Sequence, residues 1–312
     1  MQNDSESGFG GIFDPIVTTT IEEDLDVYVG QNTAFSVRYA DVHRINILLL
    51  GHNQQLTDTI MLASFDYDLK RMDIVSVPRD TYYERPDFPR SDLRKINSVY
   101  NTEDYVNNKD PHGAEHIAQA VSDVLCGVPI HYYMIISDEG VAEIVDSMGG
   151  VKFDVPFDMN YKDETQGLYI DLKEGLQTLD GAHAVQYLRF RKGENGYING
   201  DLGRIEAQQA FVKAALKQSL SKDFGSVIKT AVDVVETNLK VALAAKIAGE
   251  TVGMNTDNIT THTLPGESGM YLDASCYFAD EPATLEMMRQ IYSMDTASGT
   301  TGAAISGAAV SE

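Results

Sequence analysis

The densest run of cationic side chains in this 312-residue sequence is Tyr187-Leu188-Arg189-Phe190-Arg191-Lys192, followed by Asp201-Leu202-Gly203-Arg204. Arg189, Arg191, Lys192 and Arg204 outnumber the two acids of the stretch, Glu194 and Asp201. That balance stands out in a chain with 24 Lys and Arg against 47 Asp and Glu, a net charge of -23. Arginine presents a planar fork of donors that matches phosphate oxygens. An extended backbone would turn Arg189 and Arg191 to the same side. Arg204 falls near a helix start, where backbone N–H groups also favour anions. A pyrophosphate site and a solvated cationic face with surface ion pairs both fit this cluster.

Two further segments carry chemistry. Ser76-Val77-Pro78-Arg79-Asp80-Thr81 offers an arginine and an acid where a strand ends at a proline. Turns past the carboxyl end of a strand are common ligand positions, although Asp80 bonding its own backbone is an equal reading. In Leu50-Gly51-His52-Asn53-Gln54-Gln55-Leu56-Thr57-Asp58-Thr59, Asp58 stands between a polar loop and a buried strand. A carboxylate there suits Mg²⁺, which takes one or two carboxylates plus phosphate oxygens; an ordinary turn aspartate is the alternative. Other chemistries lack their residues. No GxGxxG, GxxxxGK[ST], HExxH, CxxC or GxSxG occurs. His112 and His116 stand at helical spacing without the zincin glutamate, and His183 reads as part of a capped helix start.

The elements that must hold these residues alternate along the chain. Ile45–Leu50 is an apolar run closed by Gly51, as in a strand buried on both faces. Thr59–Phe65 and Met72–Val77 are further strands joined by a polar hairpin connection. Ile117, Ala120, Val121, Val124 and Leu125 have helical spacing, ended by Gly127 and Pro129. Tyr132–Ile136 reads as a strand. Asp138 would cap a helix ended by Gly149-Gly150, and Val151–Val155 is another strand. A long helix follows Gly203, with further helical segments at 226–238, 241–249 and 284–292. The pattern predicts a three-layer α/β or α+β fold, a central mixed β-sheet flanked by helices on both faces. It forms one domain, 15–292, between a loose start (1–14) and a Ser-, Gly- and Ala-containing tail (293–312). The acidic balance argues against nucleic-acid partners. Cys126 and Cys276 read as buried thiols, with a disulfide as the alternative.

In order and spacing, these segments resemble the LytR–CpsA–Psr family. The matching stretches are Asn46–Gly51 (NILLLG), Asp58–Leu62 (DTIML), Ser76–Thr81 (SVPRDT), Lys95-Ile96-Asn97, Val145–Val151 (VDSMGGV), Gly181 with Tyr187–Arg191 (YLRFR), and Asp201–Arg204 with Gln208-Gln209. They cover roughly 44–220, with weaker features toward 280. The resemblance implies a phosphotransferase that moves a wall glycopolymer, such as a teichoic acid or capsular polysaccharide, from a polyprenyl-pyrophosphate carrier to peptidoglycan. A non-catalytic polyprenyl-phosphate glycan binder and a pyrophosphatase are alternatives on the same site. It implies pyrophosphate contacts from Arg79, Arg189, Arg191 and Arg204, with Lys95 and Gln208 also binding substrate. Asp58 would hold Mg²⁺, and Asp201 would orient an arginine or stand near the attacking hydroxyl. It also implies an extracytoplasmic domain held by an N-terminal membrane anchor; no run of about 18 apolar residues is present in this sequence. Three positions depart from the family pattern. Asn53 stands where an aspartate is usual, Leu56 where an arginine is usual, and Ala207 where an arginine is frequent. The first change weakens a metal site and the others weaken charge stabilisation. A long apolar pocket for the lipid tail is expected between sheet and helices, with a lining the sequence does not identify.

Overall fold

The apolar run at Ile45–Leu50 lies within β1 (Arg44–Asn53), and its alternation is read by two different cores. Leu48 and Leu50 turn to one face of the sheet, Ile47 and Leu49 to the other. A strand covered on both sides has no solvent face, so Ile47 to Leu50 are all apolar, and the buried Asn46 is satisfied by the Pro129 carbonyl and the Tyr292 hydroxyl. The computed structural model describes residues 43–292 except 54, 55, 89, 102–111, 166, 192–195, 198, 199, 221–223, 252 and 253. Segments 1–14 and 293–312, together with Lys192 and Glu194, lie outside the described residues, as do the side chains of Asn53 and Leu56.

β2 (Leu56–Asp66) and β3 (Arg71–Ser76) continue β1 as an antiparallel meander, with the expected hairpin at 66–71. α1 (Gly113–Val124) leads to β4 (Tyr132–Ile136), which pairs parallel to β1. α2 (Asp138–Ser147) follows at once. Two antiparallel ribbons come next, outside the main sheet. β5 (Val151–Val155) pairs with β8 (Gly175–Leu179), and β6 (Met159–Asp163) with β7 (Leu168–Leu172). α3 (Gly181–Arg189), α4 (Asp201–Leu220) and α5 (Phe224–Val234) precede a two-residue edge strand, β9 (Glu236–Thr237). α6 (Val241–Thr251), β10 (Ile259–Thr263), the hairpin β11 (Gly266–Tyr271) and β12 (Ala274–Ala279), and α7 (Glu281–Ile291) complete the described chain. The main sheet has the order β10-β3-β2-β1-β4-β9 and is mixed, as expected.

Helices cover both faces. α1 and α7 deliver Ile117, Val121, Met288 and Ile291 onto Leu48, Leu50 and Leu62. On the other face Ile247 of α6 and Val212 and Leu216 of α4 pack against Met61, Phe65 and Ile74. A third core joins the ribbons to α2, α3 and α4 through Phe153, Leu172, Tyr187, Phe190 and Phe211. α4 therefore packs on the sheet with one side and on the ribbons with another. Burying apolar side chains of this size contributes about 1.5–3 kcal/mol each, so α4 is fastened from both directions.

Four sequence expectations change. Ser137, not Asp138, caps α2, its side chain accepting from the Gly140 N–H at 3.1 Å. Asp138 is the first helical residue and is left available for other partners. The YLRFR segment is not extended: α3 continues through Arg189, and extended backbone begins only at Phe190. The helical segment expected at 226–238 stops at Val234, because the chain then pairs with β4. The ribbons at 159–179 are additions. The Gly149-Gly150 stop holds, with φ of 73° and 83°, and a Cβ at Gly150 would meet the Thr178 methyl at 2.7 Å. Cys126 and Cys276 are free and buried.

Candidate active site

Asp58 owes its position to a break in strand register. Gly51 pairs with Thr59 and His52 with Thr57, so Asp58 is an extra residue on β2, opposite no partner. Such a bulge re-aims a side chain, here into a cavity at the carboxyl ends of the parallel strands β1 and β4. Gly51 is required beside it, since a Cβ there would lie 2.9 Å from the Thr59 Cβ. β3 runs parallel to β1 in the sheet, and its own carboxyl end brings in Arg79 through the Pro78–Thr81 turn, closed by the Thr81 N–H to the Pro78 carbonyl at 2.9 Å.

Arg79 Nη1 donates to Asp58 Oδ1, and Arg79 Nε stands 3.8 Å from Asp201 Oδ1. Burial works against the charge of Arg79, but the carboxylates of Asp58 and Asp201 outweigh it and raise its pKa. Arg204, one turn into α4, is 6% exposed. Its Nη2 lies 2.7 Å from Asp201 Oδ1 and donates to the Asp58 carbonyl at 3.3 Å. Burial pushes its pKa down, Asp201 opposing and Arg79 adding to the effect. Arg189, at the end of α3, pairs with Asp138 at 3.1 Å. Burial raises the Asp138 carboxyl above its usual range, with Arg189 opposing and Glu139 and Asp58 adding their like charge. Arg191 lies exposed at the rim. Gln208 is buried in the wall, and its Nε2 donates to the Leu188 carbonyl at 3.2 Å.

The structure thus brings Asp58, Arg79, Arg189, Arg191, Arg204 and Gln208 to one cavity of about 490 Å³, with Asp201 paired to two of its arginines. Lys95 is not among them. Its Nζ pairs with Asp80 at 3.0 Å, and the side chain does not line the cavity. Gln209, adjacent to Gln208, is structural: its amide ties α4 to Ser76, His262 and Thr263. Sequence reasoning missed Asp138, because an aspartate at a helix start reads as a cap. It also missed His52 and Tyr161, which line the cavity and carry no motif. Away from the arginines the walls are apolar, formed by Leu49, Met61, Ile136, Val141, Leu188 and Val212.

Several buried polar atoms at the cationic end lack a hydrogen-bond partner: Arg79 Nε, Arg204 Nε, His52 Nε2 and Asp201 Oδ1. The 2.7 Å Arg204–Asp201 approach is an ion pair by distance whose angles do not make a hydrogen bond. Buried polar atoms are normally satisfied, so these orphans mark where a polar ligand completes the site. No group of three or more His, Cys, Asp or Glu is assembled among the described residues. Mg²⁺ does not need one, since it takes one or two carboxylates and fills its shell with water and phosphate oxygens. Asp58 at the bulge, with the unsatisfied Asp201 Oδ1 across Arg79, fits that sparse donor set.

The LytR_cpsA_psr family model matches residues 18–293. The chain belongs to the LytR_cpsA_psr family. Among curated relatives, the polyisoprenyl-teichoic acid–peptidoglycan teichoic acid transferase TagV of Bacillus subtilis (strain 168) is 27% identical over 259 residues, 78% of this chain and 62% of that protein. TagU of Oceanobacillus iheyensis, named for the same transfer, is 29% identical over 66% of this chain and 61% of its own length. The chain therefore spans somewhat under two thirds of these relatives. The crystal structure of B. subtilis TagV superimposes with a TM-score of 0.63 at 24% identity, covering 80% of this chain and 95% of that one. The LytR_cpsA_psr fold, a mixed sheet between helical layers, is the one described above.

Proposed function

We propose that this protein is an extracytoplasmic phosphotransferase that moves a wall glycopolymer from a polyprenyl-pyrophosphate carrier to a sugar hydroxyl of peptidoglycan. The observation that carries the reading is the two-sided cavity: four guanidinium groups at one end, an apolar wall at the other. A pyrophosphate bearing a long hydrocarbon chain needs both. The teichoic acid transfers named for TagV and TagU support the same reading.

In this mechanism Arg79, Arg189, Arg191 and Arg204 donate to the pyrophosphate oxygens, and Gln208 contacts them from the wall. The hydrocarbon chain lies along Leu49, Met61, Val141 and Val212. The acceptor hydroxyl oxygen forms a bond to the phosphorus that carries the glycan, and its O–H bond breaks with the proton passing to solvent. The bond from that phosphorus to the bridging oxygen breaks, and the lipid leaves as its monophosphate. Phosphoryl transfer needs little covalent help, so placement and charge neutralisation are the protein's main contributions. Mg²⁺ held by Asp58, with Asp201 beside it, would supply positive charge to the pyrophosphate and ease departure of the lipid phosphate. Asp201 also orients Arg204. A membrane anchor preceding the domain would keep the cavity within reach of a lipid-borne substrate.

The test is turnover of a lipid-linked glycan with a peptidoglycan acceptor, for the parent protein and Arg189→Ala, with and without Mg²⁺. Transfer by the parent and at least a tenfold loss in the variant are expected. Tight binding of the lipid-linked glycan without any transfer would replace the enzyme with a scaffold. Release of lipid phosphate without glycan transfer would make it a pyrophosphatase.

A further inference from the structure

A second, open groove of about 740 Å³ runs along β7, between the β6–β7 ribbon and α3. The ribbon register pairs Asn160 with Asp171 and Lys162 with Tyr169. Strand alternation turns these residues outward, while Met159, Ile170 and Leu172 are buried on the inner side. Tyr169 is left 57% exposed on this outer side, where it lines the groove. From α3 come His183 and Gln186, and the Gln186 side chain accepts from the Asp171 N–H at 3.1 Å, fastening helix to strand.

Two features join this groove to the cavity. Tyr161 lines both, so the ribbon is their common wall. His183, Gln186 and Arg189 follow one another at three-residue steps along α3. At 1.5 Å per residue, His183 lies about 9 Å from Arg189 along the axis, a span comparable with a disaccharide.

The lining suits a sugar better than an anion or a hydrocarbon. Tyr169 offers a ring on which the C–H face of a pyranose can stack. Asn160, Asp171 and His183 offer donors and acceptors for hydroxyl groups. Lys162, the one Lys or Arg lining the groove among the described residues, is paired with Glu164 at 2.6 Å and lies over the Tyr169 ring at 5.5 Å. The groove therefore has little net attraction for phosphate. We propose that it is a sugar-binding subsite for an uncharged, hydroxyl-rich pyranose next to the pyrophosphate cavity. The identity of the sugar's source rests on the phosphotransferase reading: it belongs either to the lipid-linked glycan or to the peptidoglycan acceptor.

Calorimetry with three probes separates these outcomes: a polyprenyl-pyrophosphate analogue without sugar, the same analogue carrying a disaccharide, and a soluble peptidoglycan tetrasaccharide. Tyr169→Ala is expected to weaken one of the sugar-bearing probes about three- to tenfold, with the sugar-free analogue unchanged and Tyr169→Phe restoring the affinity. A loss on the glycosylated carrier assigns the groove to the donor; a loss on the tetrasaccharide assigns it to the acceptor. Unchanged affinity for both sugars overturns the subsite, as does failure of the parent protein to bind either. Failure of the sugar-free analogue to bind, with sugar binding intact, overturns the phosphotransferase reading and leaves the groove standing.

Discussion

Arg79 stands between Asp58 and Asp201, Arg204 pairs with Asp201 and Arg189 faces Asp138, so three of the cavity's four guanidinium groups already have carboxylate partners. A phosphate must compete with those partners. Asp138→Asn removes one competitor and one negative charge, and it should tighten binding of a pyrophosphate analogue several-fold by calorimetry, provided Arg189 contacts the ligand. Weaker binding would mean that Asp138 is needed to hold Arg189 in place. Arg191 is exposed at the rim. Each charge-assisted contact is worth about 1.5–3 kcal/mol, so Arg191→Ala should weaken a polyprenyl-pyrophosphate analogue at least about tenfold. Its thermal midpoint should stay that of the parent, and unchanged affinity would remove Arg191 from the site.

Among the elements, the bulge between β1 and β2 decides the most. Asp58→Ala should abolish metal-dependent turnover while binding of the lipid-linked glycan persists; parent-like turnover would make Asp58 an ordinary bulge residue. Gly51→Ala places a methyl group against Thr59, an overpacking that costs about 1–3 kcal/mol. A lowered thermal midpoint together with reduced turnover would show that the close approach holds Asp58 in position. The bulge itself is invisible in sequence, because it is a property of pairing and not of either strand. What was legible follows the same division. β1, β4 and β5 are short apolar or alternating runs bounded by turn residues; β4 and β5 fall at their expected limits and β1 within three residues of its own. The β6–β7 ribbon, MNYKD and LYIDL, mixes charges with aromatics and offers too short an alternation to separate it from loop. Arg189, Arg191 and Arg204 were legible because a guanidinium cluster is conspicuous in an acidic chain, and Arg79 because it follows a strand that ends at a proline. Asp138 was not, since Ser137 and Asp138 are both capable of capping and only the structure shows which does. The apolar wall was hidden for a different reason: Leu49, Met61, Val141 and Val212 sit on four elements and meet only in the fold.

For the molecule as a whole, one buried histidine links stability to acidity. His131 is 7% exposed, its Nδ1 accepts from the Asn46 N–H at 3.0 Å, and burial pushes its pKa from 6.5 down to about 4. The unfolded chain takes up a proton that the folded protein refuses. The contribution is complete above pH 6.5 and is lost as pH falls from there toward about 4. The urea midpoint should decline across that window, and the decline should be shallower in His131→Gln. An equal slope in both proteins would place the acid sensitivity elsewhere. The pairing inside the cavity has a consequence for what the protein ignores. In the extracytoplasmic setting proposed above, phosphate, chloride and loose acidic glycans would far outnumber a lipid-borne substrate. A small anion would have to part Arg79 from Asp58 and Arg189 from Asp138 with one or two contacts in return, against the repulsion of a molecule with a charge of -23. A ligand that also buries a hydrocarbon chain has the additional binding energy to do so. On the phosphotransferase reading the internal salt bridges would act as a threshold, since they balance most of the cavity's guanidinium charge and only a long, two-part ligand would bring enough binding energy to part them.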